Sequence, residues 1–441
     1  MATEPAAEAG PAVAEAVDEA AGYGRGARIL SIGIATTGLV TFAYFSLASY
    51  HLGQDPAGKA AYGYISTLWA ILFITISVIY RPVEQLLSRT IADRRARGLH
   101  EGHPLRGPVL IQGAFATLFL VAAFALRGPL EDAVGGSTLF WVLVGSALAY
   151  AASYFARGYC AGHGWFGLYG GLVFFEAVAR VCFPLAAVLG LASGRTWVAL
   201  GILAAPLASL AVVPFALRRH TAGVPDASAP KAGGARAKAA EAGGDGRFAV
   251  AVAGIGLGEQ ALLNVAVLLV PAGDAAGVVF NAFLITRIPL QLFQSVQTSL
   301  LPHLAGLEAT EGGAAFAKAI RTTLLAVAGF ALAVALGLLV LGPLALELLL
   351  NRPGYSGLGL AAVALGMGSH LAAATLNQAA LARDRATAAA ALWLTAAAAF
   401  AAWMLVAPIA DELVRAEVGY LAATSALALA LYALYRRGSA G

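Results

Sequence analysis

The stretch FNAFLITRIPLQLFQSVQTSLLPH (280–303) is apolar and long enough to cross a bilayer, yet it carries Arg287, Pro289, Gln291, Gln294 and Thr298. At about 100° per helical residue, Arg287, Gln291, Gln294, Ser295 and Thr298 fall in one narrow stripe, while Ile288, Leu292, Val296 and Leu300 point elsewhere. A segment with these two faces decides the fold class: helices in a membrane, with a polar space between them. An Arg at a bilayer centre costs about 3 kcal/mol on insertion scales, so Arg287 should face a partner or a wet cavity. It is the first candidate for function, set against the plainer account in which it only clamps backbone carbonyls around a Pro289 kink.

The rest of the composition agrees. The chain is 60% hydrophobic and 12% charged, where an ordinary soluble domain has about 25% charged residues. This predicts an all-α polytopic membrane protein. Cys160 and Cys182 offer neither a disulfide framework nor a metal-ligand spacing, and both read as packing residues. A net charge of +4 calls for no nucleic-acid partner, because the basic residues sit between apolar segments, as topology signals do. Arg exceeds Lys and Ala and Gly abound, which points to a bacterial source. There is no P-loop, HExxH or CxxC, and GIGLG (254–258) lies inside an apolar run rather than after a strand. Neither an enzyme nor direct use of ATP is expected, and no cofactor beyond coupling to Na+ or H+.

Working outward from the opening stretch, about twelve segments are long enough to span ~30 Å of hydrocarbon. They lie near 29–50, 62–85, 108–126, 138–156, 167–191, 197–217, 248–270, 276–302, 319–344, 357–381, 387–408 and 417–435. Lys and Arg test this division independently, since they gather on cytoplasmic loops. With the N-terminus inside, the inner segments hold Arg25 and Arg28, the cluster Arg89 to Arg106, Arg157, the run Arg218 to Arg247, Lys318 and Arg321, Arg383 and Arg385, and Arg436 and Arg437. The outer segments hold only Lys59, Arg127, Arg195, Arg352 and Arg415. Twelve spans with both termini cytoplasmic, in a bacterial inner membrane, follow from that alternation.

Residues 1–27 form an acidic tail (Glu4, Glu8, Glu15, Asp18, Glu19) with the composition of a disordered segment. The polar interruption 218–247, rich in Pro, Gly and Ala, reads as a flexible cytoplasmic linker. It separates a six-helix bundle at 28–217 from a second at 248–435, and 436–441 is a short cytoplasmic tail. The halves echo each other: Arg81, Pro82, Gln85 and Ser88 in the second span match Arg287, Pro289, Gln291 and Gln294 in the eighth. A parallel internal repeat around a central cavity is the expected architecture.

Other polar residues within spans have two readings each. Arg81 with Glu84 is either a snorkelling Arg with a local ion pair or a cavity group. Glu176 and Arg180 form an i, i+4 pair deep in the fifth span that either neutralises itself or couples to an ion. Gly254 and Gly258 make a small-xxx-small packing face beside Glu259, Gln260 and Asn264. A membrane Glu such as Glu259 wants a cation, a proton or a basic partner, and Arg287 is one candidate. Gln112, His370, Asn377 and Gln378 read as interhelical hydrogen-bond groups.

Taken together, SLASYHLGQDPAGKAAYG (46–63), RPVEQLLSRTIADRRARG (81–98), ARGYCAGHGWFGLYG (156–170), EAVAR (176–180) and RIPLQLFQSVQTSLLPHL (287–304) resemble the polysaccharide flippases. These belong to the multidrug/oligosaccharidyl-lipid/polysaccharide exporter superfamily. The resemblance runs from about residue 28 to 435. It implies two six-helix bundles around a cavity through which a lipid-linked (prenyl-diphosphate) sugar passes from the inner to the outer leaflet. By matching motif, Arg81 and Arg287 would meet the diphosphate, with Gln85, Gln291, Gln294 and Thr298 toward the sugar. Glu259, Asn264, Glu176 and Arg180 would be the candidates for ion or proton coupling. Partners would be the bilayer, the lipid-linked sugar and glycosyltransferases or a polymerase of the same pathway. The first span has Thr36, Thr37, Thr41 and Tyr44 where the lipid II branch carries a charged pair, and so departs from that branch. A multidrug cation antiporter of the same superfamily and a non-transporting scaffold for polysaccharide or wall synthesis are the alternatives.

Overall fold

A computed structural model describes residues 36–96, 105–214, 218, 245–285, 287 and 313–437. The expectations for residues 1–27, most of the 218–247 linker, and Gln291, Gln294 and Thr298 lie outside the described residues. The described elements are helical: α1 (36–52), α2 (Pro56–Thr75), α3 (Arg81–Ala96), α4 (Arg106–Ala125), α5 (Arg127–Val134), α6 (Ser137–Gly162), α7 (Phe166–Val188), α8 (Arg195–Ser209), α9 (Asp245–Leu269), α10 (Asp274–Ile285), α11 (Gly313–Leu350), α12 (Gly357–Ala382), α13 (Ala386–Val406) and α14 (Glu412–Arg437). Among them nine continuous helices are long and apolar enough to cross a membrane, α2 and α3 counting as one helix from Pro56 to Ala92. The chain is a multi-pass membrane protein with two lobes. In the first, α6 packs on α3 and α8, and α7 on α8; in the second, α12 packs on α11 and α14, and α13 on α9 and α14.

Small residues set the helix spacing inside each lobe. In the first, Pro184 has no N–H to give to the Arg180 carbonyl one turn back. Gly201 of α8 fills the space beside that carbonyl, where a Cβ would sit 2.8 Å from the oxygen. In the second, the expected Gly254 and Gly258 face packs α9 on α13: a Cβ at Gly258 would lie 2.8 Å from the Trp393 backbone, and one at Gly254 would be in ordinary contact with Leu394. Cys160 is buried beside Trp165, whereas Cys182 is exposed on α7, so the packing reading holds for one cysteine and not the other. The large exposed side chains of α4 and α11, among them Leu110, Leu118, Val340 and Leu348, give these helices an apolar outer surface suited to lipid.

The lobes meet through α1, α2, α9, α10 and α11. The closest approach is between Gly63 of α2 and Gly273 before α10, where a Cβ on Gly63 would fall 1.6 Å from the Gly273 carbonyl oxygen. Phe45 of α1 lies on Phe280 of α10 with ring centres 4.5 Å apart, and the Tyr62 hydroxyl donates to Asn281 Oδ1 at 2.5 Å. These contacts cluster at one end of the molecule, the end of residues 46–63, 273–281 and 348–352. We call it the distal end, and the opposite end, with Arg89, Arg94, Arg383 and Arg436, the basic end.

Candidate functional site

Arg81 stands where the helix from Pro56 to Ala92 changes register. Pro82 lacks an N–H and its ring would crowd a regular turn. The chain answers with one π-turn, Ile76–Tyr80, in which the Arg81 N–H reaches back to the Ile76 carbonyl. Such single-turn bulges re-aim the side chain that follows. Arg81 and, one turn on, Gln85 are exposed to solvent. The carboxylates around it are Glu84, three residues away, and Glu259 of the other lobe, so Arg81 sits where the two lobes face each other. Glu84 is half-buried and accepts a 2.7 Å hydrogen bond from Tyr169 of α7.

Behind this face, the first lobe buries a charged network. Glu176 is 5% exposed and Arg180 2%, and the expected i, i+4 pair forms with Nη2 to Oε1 at 2.8 Å. A third member, Arg157 of α6 at 8% exposure, pairs with the other carboxylate oxygen of Glu176. Tyr150 donates to Glu176 Oε1 at 3.0 Å and receives Arg180 Nη2 at 2.8 Å. Arg180 Nη1 donates to Thr41 of α1 at 3.0 Å, and its guanidinium lies 4.6 Å from the Trp69 ring centre. Arg157 lies over Tyr154 at 4.4 Å. The sequence reading of Arg157 as a loop-side topology signal is therefore corrected: α6 continues to Gly162 and carries Arg157 into the core. The Glu176 carboxylate accepts from three donors, Tyr150, Arg157 and Arg180, so this cluster is a buried ionic core.

In the second lobe, Arg287 is half-buried and is held by neutral acceptors. Nη2 donates to the Leu263 carbonyl and to Asn264 Oδ1, both at 2.8 Å. Its guanidinium sits 5.4 Å from the Phe280 ring centre, one helical face away at i−7. Asn264 is fixed in turn, because its Nδ2 donates to the Gln260 carbonyl at 2.9 Å. Among the described residues no carboxylate touches Arg287. Of the partners open to Glu259 in the sequence, the structure supplies a basic one other than Arg287: its Oε1 lies 3.8 Å from His370 Nε2. His370 is fully buried, with Nδ1 3.3 Å from the Tyr420 hydroxyl and its ring stacked on Tyr420. Sequence reasoning left His370 as an interhelical bond and passed over Tyr420. A histidine in an apolar span rich in Ala, Gly and Leu was the available signal.

The two faces differ in charge balance. Arg157 and Arg180 share Glu176, and Arg81 has Glu84 and Glu259 around it; Arg287 has only neutral hydrogen-bond partners among the described residues. A planar guanidinium in that situation is a receptor for an anion, above all one with paired oxygens.

No family model and no curated protein matches the chain. Among solved structures, an inward-facing multidrug-resistance MATE family transporter of the MOP superfamily is similar at a TM-score of 0.72 and 10% identity, over 93% of this chain and 98% of that one. A MOP superfamily transporter from Pyrococcus furiosus, described as having a binding pocket of reversed polarity, aligns at 0.65 and 12% identity over 94% and 95%. A point mutant of the Vibrio cholerae MATE transporter VcmN aligns at 0.62 and 17% over 95% and 98%. The fold of this chain is the two-lobed, twelve-helix fold of MATE transporters in the MOP superfamily.

Proposed function

We propose that this protein carries an anionic amphiphile, a prenyl-diphosphate-linked oligosaccharide or polysaccharide precursor, from the inner to the outer leaflet by alternating access. The observation that carries the reading is Arg287, a half-buried charged group whose described partners are all neutral. A diphosphate would supply the missing negative charge through bidentate hydrogen bonds. On this reading Arg81 and Gln85 contribute from the first lobe, and Gln291, Gln294 and Thr298, which share the Arg287 stripe by their spacing in the sequence, meet the sugar. The prenyl tail stays in lipid, where the apolar outer surfaces of the lobes already suit it. On this reading six spans at 28–217 and six at 248–435 are joined by a cytoplasmic linker at 218–247, and both termini would lie in the cytoplasm of a bacterial cell. The closed distal end then faces outward and the resting cleft inward. Glycosyltransferases or a polymerase of the same pathway would supply and consume the cargo.

The test is flipping of a fluorescent prenyl-diphosphate oligosaccharide in proteoliposomes. A charge-assisted hydrogen bond is worth about 1.5–3 kcal/mol. Arg287→Ala should therefore cut transport about tenfold or more, while Arg287→Lys, which keeps the charge but not the fork, keeps part of it. Transport by Arg287→Ala at the wild-type rate would remove the phosphate role.

Glu259 favours a second reading, a multidrug or cation antiporter. Its carboxylate is accessible in the cleft, and His370 and Tyr420 continue from it into the lobe. On that reading Glu259 binds the drug cation, H+ or Na+. Glu259→Gln should then abolish movement of a cationic dye down an imposed ion gradient, with Arg287→Ala leaving it intact. The reverse pattern returns Glu259 to a balancing charge for Arg81. A non-transporting scaffold, the third alternative, would tolerate both substitutions in both assays.

A further inference from the structure

The distal seam between the lobes is built from hydroxyl groups on one side and main-chain carbonyls on the other. Ser46, Ser49 and Tyr50 lie at i, i+3 and i+4 on one face of α1. They donate to the carbonyls of Leu349, Leu350 and Leu348, in that order. These acceptors are the last carbonyls of α11, which have no donor within their own helix. The chain turns away after them through Asn351 in the left-handed region (φ 51°), and the Arg352 N–H returns to the Leu346 carbonyl at 3.3 Å.

That turn delivers the Arg352 side chain into the seam. It is 5% exposed, with Nε donating to Ser49 Oγ at 3.0 Å and the guanidinium 4.9 Å from the Tyr62 ring centre, both in the other lobe. Asp274 is at 3.9 Å from Nη1, and Nη2 has no partner. Ser49 thus accepts from Arg352 while donating to Leu350, tying three groups into one relay. The cation also sits at the negative end of the α11 dipole.

Interhelical hydroxyl bonds commonly serve as permanent glue within membrane bundles. Two features set this seam apart. Its side-chain hydroxyl bonds all join one lobe to the other, and its outer members, Ser46 and Tyr50, lie at an exposed rim. When the lobes part there, water can take over both the hydroxyls and the helix-end carbonyls, so the bonds exchange rather than vanish into hydrocarbon.

We propose that the Ser46–Ser49–Tyr50 face of α1 and Arg352 form a releasable latch that holds the distal end shut by capping the C-terminus of α11. The latch is independent of what the cleft carries, so failure of the diphosphate reading leaves it standing. It sets the balance between the distal-closed and distal-open states.

The test uses the full-length protein in lipid nanodiscs, spin-labelled at Leu191→Cys and Ala272→Cys, exposed positions in the two lobes, in a Cys182→Ser background. Distances are read by double electron–electron resonance. Each net hydrogen bond lost is worth about a two- to tenfold change in a population ratio. The triple change Ser46→Ala, Ser49→Ala, Tyr50→Phe should raise the long-distance population about tenfold or more, Arg352→Gln should raise it by itself, and Ser49→Thr, which keeps a hydroxyl, should not. Ser153→Ala, which breaks a hydroxyl pair with Ser209 inside the first lobe, is the control. An unchanged distance distribution in the triple variant overturns the latch, and so does an equal rise in the control.

Discussion

Glu176→Ala is expected to lower the stability of the purified protein by about 3–5 kcal/mol, the cost of removing one partner from a buried ion pair. The carboxylate serves two guanidinium groups at once, Arg157 and Arg180, and the Tyr150 hydroxyl as well. Its loss strands two cations in a space closed by Thr41, Tyr154 and Trp69. Tryptophan-fluorescence melting in detergent should show the fall directly. The triple variant Glu176→Ala, Arg157→Met, Arg180→Met should recover much of it, because replacing a whole buried ionic cluster by apolar groups is often neutral. Melting of the single variant at the wild-type temperature would mean that the network is solvated and open, which would reopen Glu176 and Arg180 as coupling groups.

Gly63→Ala should produce the largest conformational effect of any single methyl group in the molecule. The added carbon would lie 1.6 Å from the Gly273 oxygen and 2.3 Å from its carbonyl carbon, with backbone on both sides and no rotamer to relieve it. Overpacking of this kind costs about 1–3 kcal/mol where the surroundings can shift. Here the clash is between lobes, so relief comes by parting them. The whole cost falls on the distal-closed state, and neither lobe has to rearrange internally. The same spin-label pair should report a distal-open majority for Gly63→Ala, with little change in melting temperature. Gly113→Ala, whose added carbon meets nothing, should match wild type. A closed majority in Gly63→Ala would mean that the two helices slide past each other instead of separating.

Much of the fold was legible because a bilayer leaves few choices: apolar length and the alternation of Lys and Arg located the spans without any knowledge of packing. Arg81 and Arg287 stood out by the cost of a charge in hydrocarbon. What was not legible was partnership. Arg157 looked like a loop residue because the apolar run of its span ends near residue 156, while the helix itself continues six residues further. Glu259 and Arg287, charges of neighbouring spans, could have been mates, and sequence alone could not place them together. A rotation of one helix sends them instead to His370 and Asn264. The Gly63–Gly273 contact left no trace, since one glycine among 51 carries no label of its neighbour. The hydroxyls of α1 were quoted only as part of a resemblance. Nothing in the spacing of Ser46, Ser49 and Tyr50 says that a helix end 300 residues away lacks donors.

The acceptors at that helix end are backbone atoms, and this has an evolutionary reading. Substitutions at Leu348, Leu349 and Leu350 leave a carbonyl in place whatever side chain they bring, so the second lobe can drift freely at these positions while the first cannot. Homologous chains should therefore hold a hydroxyl pattern on α1 with no compensating change on α11, and statistical searches for paired substitutions would pass over a contact that joins the two halves of the protein.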